Sequence, residues 1–260
     1  MNAGLLETQA NHTVDAFLGG RVTLIQPRKG HRAGLDAALL QALVPASAWG
    51  LAIDLGTGVG TVAFCLAARA VRLSVVGIER DPGLVACGAE ALTLPQNASF
   101  AGRVRLVAAK IAESPDLRGR LAIAEDAGWV LMNPPFRSEA IGTPSPDVRR
   151  RGAHMAEEGL LESWLSAAGK LMKRGAMLGL IHRADALMEV IHSLSGRFGS
   201  IQIRPVHPSQ SAAAIRILVT ALRASRAPPA ILPALMRHQP GGGWTPQTDA
   251  LLRGEAELAT

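Results

Sequence analysis

Seven short segments read as strands, the first four of them apolar runs. They are Leu51–Leu55, Leu73–Ile78, Val104–Val107, Trp129–Met132, Ala176–His182, Ser200–Pro205 and Ile215–Leu222. Near-continuous apolar runs of this length mark strands buried on both faces. Between the first two, VGTVAFCLAARA sets Val59, Val62, Leu66 and Arg69 at helical spacing. Further helices are predicted from about Leu160 to Lys173 and over Ala184–Arg197, the first of them after a long polar loop, Arg137–Glu158. Strands that alternate with helices pair in parallel through right-handed crossovers. The expected fold is therefore α/β, a doubly wound seven-stranded sheet, mostly parallel, with its last strand antiparallel. Ligands of such sheets bind at the carboxyl ends of the strands, near the switch in strand order.

The flanks carry less. Arg21–Gln26 reads as a strand, and Leu35–Val44 as a helix whose stripe is Leu35, Leu39 and Leu43, ended by Pro45. After a Pro- and Gly-rich connection, Thr245-Pro246 suits an N-cap followed by Pro at N1, opening a short helix that ends near Gly254. This predicts a single domain over residues 49–225, an N-terminal extension (1–48) packing on the sheet, and a C-terminal extension (226–260). No internal repeat is present.

The first strand runs into AIDLGTGVGT, in which Gly56, Gly58 and Gly60 let the backbone turn tightly beside a ligand. Three readings compete. A dinucleotide site wants G-x-G-x-x-G, but Thr61 stands where the third glycine belongs. A phosphate-cradling loop wants a following lysine, and none is there. A cofactor with a sulfonium and an amino-acid moiety needs no pyrophosphate site, and Asp54 at the strand end neutralises its cationic tail. The second strand ends at Glu79, at the spacing from Gly56 expected of an acid that accepts from both ribose hydroxyls. A solvated loop acid is the plainer alternative.

The fourth strand ends in Asn133-Pro134-Pro135-Phe136. Two prolines fix the backbone and remove two donors, leaving carbonyl oxygens beside an Asn side-chain oxygen. An amino group on a conjugated ring offers two N–H donors. Acceptance of both by Asn133 and the Pro134 carbonyl orients the amine for attack on a methyl carbon, with Phe136 stacked on the flat acceptor. A rigid turn is the plainer reading of the same residues.

Together DLGTGVG, GIERDP and NPPF resemble the class I S-adenosylmethionine-dependent methyltransferases of the amino-group type, over about residues 50–220. Their fold is Rossmann-like. GHRAGLDAALLQALVP (Gly30–Pro45) and WTPQTDALLRGEAEL narrow the resemblance to the bacterial tRNA adenine-N6 methyltransferase-like family. The resemblance implies S-adenosylmethionine as cofactor, held by Asp54, Leu55, Gly56, Thr57, Gly58, Glu79 and Arg80. It implies catalysis by Asn133, Pro134, Pro135 and Phe136 on an exocyclic amino group, adenine N6 of tRNA or another structured RNA. His31, Arg32 and Asp36 become secondary candidates near the cofactor, with hydrogen bonding at a helix start as the alternative. One departure stands out: relatives carry an Asp after the third strand, where this chain has Lys110, with Glu113 three residues on.

Composition changes the picture only modestly. Nearly half of the 260 residues are hydrophobic, 48%, enough for a sizeable core. The net charge is +6, and only four of the 27 basic residues are Lys, an Arg bias that genome composition also explains. A basic surface fits a nucleic-acid partner. Arg149, Arg150 and Arg151 in the polar loop, with Arg32, are the candidates for RNA contact; a solvated loop is the alternative. Cys65 and Cys87 read as buried thiols, and neither they nor the histidines have metal-ligand spacing, so no metal is expected. No membrane span and no signal peptide are expected, and the location is cytoplasmic. The same tip also suits a glutamine-amide methyltransferase, and a non-catalytic methyltransferase-fold module that binds nucleic acid is the third reading. Composition is silent on oligomeric state.

Overall fold

The computed structural model describes residues 11–29, 33–111, 119, 126–135 and 148–258. Strands β1 (His12–Phe17) and β2 (Val22–Pro27) form an antiparallel ribbon, followed by α1 (Leu35–Gln41). The alternating part then runs β3 (Trp49–Leu55), α2 (Thr61–Arg69), β4 (Arg72–Glu79), α3 (Pro82–Leu92), α4 (Ala98–Ala101), β5 (Val104–Ala108) and β6 (Ala127–Met132). It continues through α5 (Val148–Leu171), β7 (Met172–Arg183), α6 (Leu187–Leu194), β8 (Phe198–His207) and β9 (Arg216–Arg223). Two short strands, β10 (Ala230–Ile231) and β11 (Leu235–Met236), precede α7 (Pro246–Arg253).

The main sheet has the order β10-β8-β9-β7-β6-β3-β4-β5, with β11 also paired to β8. Strands β5, β4, β3, β6 and β7 are mutually parallel, and β9 is antiparallel to both β7 and β8. Strand order reverses at β3, which lies between β4 and β6. The sheet has nine strands, so the expected seven is corrected. The two additions are two-residue pieces, hemmed by Pro228, Pro229 and Pro233, too short to carry any periodicity.

Two other expectations change. The polar loop was expected to run to Glu158, but α5 begins at Val148 and is 24 residues long. Its first turns are rich in Arg, Ala, Met and Glu, good helix formers without an apolar stripe, so propensity builds a helix that periodicity hides. The first helix stops at Gln41, and single tight turns carry the chain on, with Leu43 N donating to Leu40 O and Val44 N to Gln41 O. Strand β1 was not foreseen, because HTVDAF is only half buried.

Each sheet face has its own core. On one side Leu24, Leu39, Phe64, Leu66 and Phe100 join α1, α2 and the ribbon; on the other Leu165, Leu171, Val190, Leu194 and Phe198 join α5 and α6. Helix α2 is buried on nearly every side, since it lies between the sheet and the N-terminal elements. Asn97 pins the ribbon to this layer. Its Oδ1 accepts from Thr23 N at 3.0 Å, and its Nδ2 donates to Thr23 O and Ala91 O, each at 2.7 Å.

Arg69, at the end of α2, is a buried clasp. It donates to Gln41 Oε1 at 2.8 Å, to Gln41 O at 2.7 Å and to Val44 O, the carbonyls that α1 leaves open as it ends. It also pairs with Glu257 at 3.0 Å, and Glu257 in turn accepts from Ala46 N. Burial pulls the Arg69 guanidinium below its ordinary value, and Glu257 opposes that shift. One side chain thus joins residues from both flanks to the helix that follows the glycine loop.

Candidate active site

The parallel register brings three strand tips into one row. Leu55 on β3 pairs with Ile78 on β4 and with Met132 on β6. The next residues, Gly56, Glu79 and Asn133, therefore stand side by side at the carboxyl edge, about 5 Å from one strand to the next. This is the switch point, where an open sheet leaves a crevice.

Local bonding shapes the loop after β3. The amides of Gly56 and Thr57 both donate to Ile78 O, at 2.8 and 3.0 Å, folding the loop across the end of β4. Glu79 ties it down: Oε2 accepts from Gly58 N and Oε1 from Asp81 N, both at 3.0 Å. Each carboxylate oxygen keeps acceptor capacity after these bonds. Gly58 has φ +58° with no atom of the described residues within 4 Å of where its Cβ would lie, so its outer face is open among them. Gly56 differs. With φ +72°, a Cβ there would lie 2.4 Å from the Trp164 indole, so α5 closes directly over the start of the loop.

Asp54 lies beneath. It is 2% exposed, and its Oδ2 accepts from Thr57 Oγ1 at 2.5 Å. Burial pushes its carboxyl up to about 7, the Thr57 hydroxyl and the Ala63 amide oppose that rise, and Glu79 adds to it. Such an acid is poised to ionise when a cation arrives.

At the tip of β6, Pro134 is buried and Pro135 exposed. The Oδ1 of Asn133 is buried and has no hydrogen-bond partner among the described residues. An orphaned buried acceptor costs roughly 1–3 kcal/mol. Asn97, a fully buried carboxamide, has every bond satisfied. Only the one at the strand tip is left open.

The predicted residues divide accordingly. Asp54, Leu55, Gly56, Thr57, Gly58 and Glu79 come together, with Asn133 and Pro134 beside them. Arg80 is exposed on the turn and makes no side-chain hydrogen bond or ion pair among the described residues. Asp36 is taken up by Arg216, at 3.0 Å, on the start of β9. Lys110 follows β5, where Ala109 N donates to Glu79 O at 2.7 Å, so its segment borders the Glu79 tip. His31, Arg32, Glu113 and Phe136 lie outside the described residues. Arg149, Arg150 and Arg151 fall in the opening turns of α5, and their side chains lie outside the described set. Trp164 was missed, because no local pattern marks it; its contact depends on a residue near the end of α5 reaching the loop after β3. Among the described residues no cluster of His, Cys, Asp and Glu could hold a metal ion, and no helix is long and apolar enough to cross a membrane.

The chain is similar to characterised proteins over most of its length. It is 30% identical over 183 residues to a tRNA1(Val) (adenine(37)-N6)-methyltransferase from Porphyromonas gingivalis, covering 68% of each chain. A protein of the same description from a second strain is 31% identical over 166 residues, 61% of each chain. Among solved structures, a predicted O-methyltransferase from Agrobacterium tumefaciens is 30% identical with a TM-score of 0.74, covering 86% of this chain and 99% of that one. No protein-family model matches.

Proposed function

Since the chain belongs to the family of the tRNA1(Val) (adenine(37)-N6)-methyltransferases, within the class I S-adenosylmethionine-dependent methyltransferases, we propose that it methylates the N6 amino group of an adenine in tRNA. The observation that carries this reading is the buried, unpartnered Oδ1 of Asn133 in the row with Gly56 and Glu79. An aminopurine fits such an acceptor because its NH₂ donates twice, once to Asn133 Oδ1 and once to the Pro134 carbonyl.

The residues fit S-adenosylmethionine. Glu79 keeps lone pairs for two ribose hydroxyls, the open face beside Gly58 leaves room for a ligand against the backbone, and Asp54 supplies a carboxylate behind the loop. When bound, the cofactor supplies an electrophilic methyl group. The protein's part is to orient the amine and concentrate its lone pair, with positioning as the main source of rate. No strong base is required, because the amine loses its proton after it has gained the methyl and become cationic. Arg32 and Arg149–Arg151 are the proposed contacts to RNA, Phe136 is the proposed stacking partner of the adenine, and residues 1–48 and 226–260 flank a catalytic domain at 49–225. A tRNA substrate and two unpaired cysteines suit the cytoplasm.

The test is incubation with S-adenosylmethionine and unmodified tRNA, followed by nucleoside analysis. N6-methyladenosine that disappears with Asn133→Ala supports the reading; its absence under saturating cofactor overturns it. The Agrobacterium protein's description favours a second reading, transfer to a hydroxyl oxygen. A hydroxyl carries one hydrogen where the site offers two acceptors, and it needs a base to remove that hydrogen. The same nucleoside analysis separates the two, since an O-methylated product has a different mass fragment from N6-methyladenosine.

A further inference from the structure

Arg237, His238 and Trp244 form a preorganised stack at the edge of the sheet that carries the active site. Strand β8 runs in the direction of β6, because both it and β7 are antiparallel to β9, and β11 is parallel to β8. Arg237 and His238 directly follow β11, so they stand at the carboxyl ends of the strands, as Asn133 does. Between β6 and β11 the sheet interposes β7, β9 and β8, a separation of about 19 Å at the usual strand spacing.

The stack is built. The His238 and Trp244 rings lie 4.5 Å apart at 19°, and the two residues also pair through an isolated antiparallel bridge. His238 Nδ1 lies 3.1 Å from Gly243 O, and Gln239 Nε2 donates to Trp244 O at 2.7 Å, closing the Gly241–Gly243 turn beneath the rings. The Arg237 guanidinium sits over the Trp244 indole, 5.6 Å from its centroid.

Beyond that aromatic face, the guanidinium has no polar partner among the described residues. Buried Arg69 and half-buried Arg103, Arg204, Arg216 and Arg223 each donate to a carbonyl or a carboxylate. Arg237, also half-buried, makes no side-chain hydrogen bond or ion pair among the described residues, and its Nε is buried with no acceptor. A guanidinium held by an aromatic face, with its terminal donors unpaired among the described residues, has the chemistry of a site for a phosphate beside a stacked base.

We infer that Arg237, His238 and Trp244 form a docking platform for single-stranded nucleotides of the RNA substrate that flank the methylated base. A base stacks on the aromatic pair and a phosphate meets the terminal nitrogens of Arg237. This rests on the reading of the protein as an RNA methyltransferase. It also accounts for specificity at a distance, because a target base turned out toward Asn133 leaves its neighbours to be held elsewhere.

The test compares wild type with Trp244→Ala, Trp244→Phe and Arg237→Gln for binding of an unmodified tRNA transcript and of S-adenosylmethionine. Trp244→Ala and Arg237→Gln are expected to raise the tRNA Kd about tenfold each, Trp244→Phe to restore most of it, and cofactor Kd to stay unchanged. Folded Arg237→Gln with wild-type tRNA affinity overturns the platform, even if Trp244→Ala does not fold. Methylation of tRNA with unchanged KM in both variants also overturns it, and leaves the activity standing. Weakened tRNA binding in the variants, with no methyl transfer by wild type, supports the platform and sinks the activity instead.

Discussion

The indole of Trp164 occupies the space that a side chain at position 56 would need, with Cη2 2.4 Å from the ideal Cβ of Gly56. Glycine is thus required there twice, by its φ of +72° and by the ring above it. Gly56→Ala is expected to destabilise the fold by about 3 kcal/mol, combining left-handed backbone strain with overpacking. Gly58→Ala meets no atom of the described residues and should cost about 1 kcal/mol of stability while weakening cofactor binding more than tenfold. Denaturant unfolding and calorimetry on the two variants check the contrast. Equal losses of stability would show that crowding by Trp164 is immaterial.

Asp54 gives the protein a pH signature. In the unfolded chain its carboxyl titrates near 3.8, and in the fold at about 7. Between those values the folded state holds a proton that the unfolded state has released, so stability falls as pH rises from about 4 to about 7 and then levels off. The difference is on the order of 4 kcal/mol, at about 1.4 kcal/mol per pH unit. Asp54→Asn is expected to remove this part of the slope, read as the difference between the two proteins in urea unfolding at pH 5 and pH 8. A variant whose slope matches wild type would show that Asp54 ionises freely.

Asn133 and Asn97 should behave oppositely. Asn133→Ala removes an unpartnered oxygen, so folding stability is expected to change by less than about 0.5 kcal/mol while methyl transfer is lost and cofactor affinity is kept. Asn97→Ala breaks three hydrogen bonds that hold the ribbon, and should cost about 2–4 kcal/mol. Thermal melts with single-turnover assays decide it; a large stability loss from Asn133→Ala would make that residue structural.

Glu79 joins two strand tips through both of its oxygens. Glu79→Gln keeps the shape but sets an NH₂ against one of the amides of Gly58 and Asp81, replacing an acceptor with a donor. The expected loss is about 1–2 kcal/mol of stability, with cofactor affinity reduced more than tenfold. Titration calorimetry would expose the error if affinity were unchanged.

Much of the strand order along the chain was legible, because β3, β4, β6 and β7 are near-continuous apolar runs between helical spacings. So were the loop and the tips at Asp54, Glu79 and Asn133, whose chemistry is local. What stayed hidden depends on partners distant in sequence. The opening turns of α5 carry no apolar stripe, β10 and β11 are strands only because β8 offers them an edge, and the register that sets Gly56, Glu79 and Asn133 in one row emerges only from pairing. Asp36 was drawn toward the cofactor by resemblance, whereas Arg216, 180 residues away, takes its carboxylate.

The Arg69 clasp sets an order on biosynthesis. Its guanidinium emerges from the ribosome long before Glu257, the only carboxylate that pairs with it among the described residues. Until then a cation at the end of α2 would have to be buried without its counter-ion, which is unfavourable. A nascent chain is therefore expected to hold the helix behind the glycine loop loosely. That layer would close only once Glu257 has been made, leaving chaperones a window in which it is still exposed.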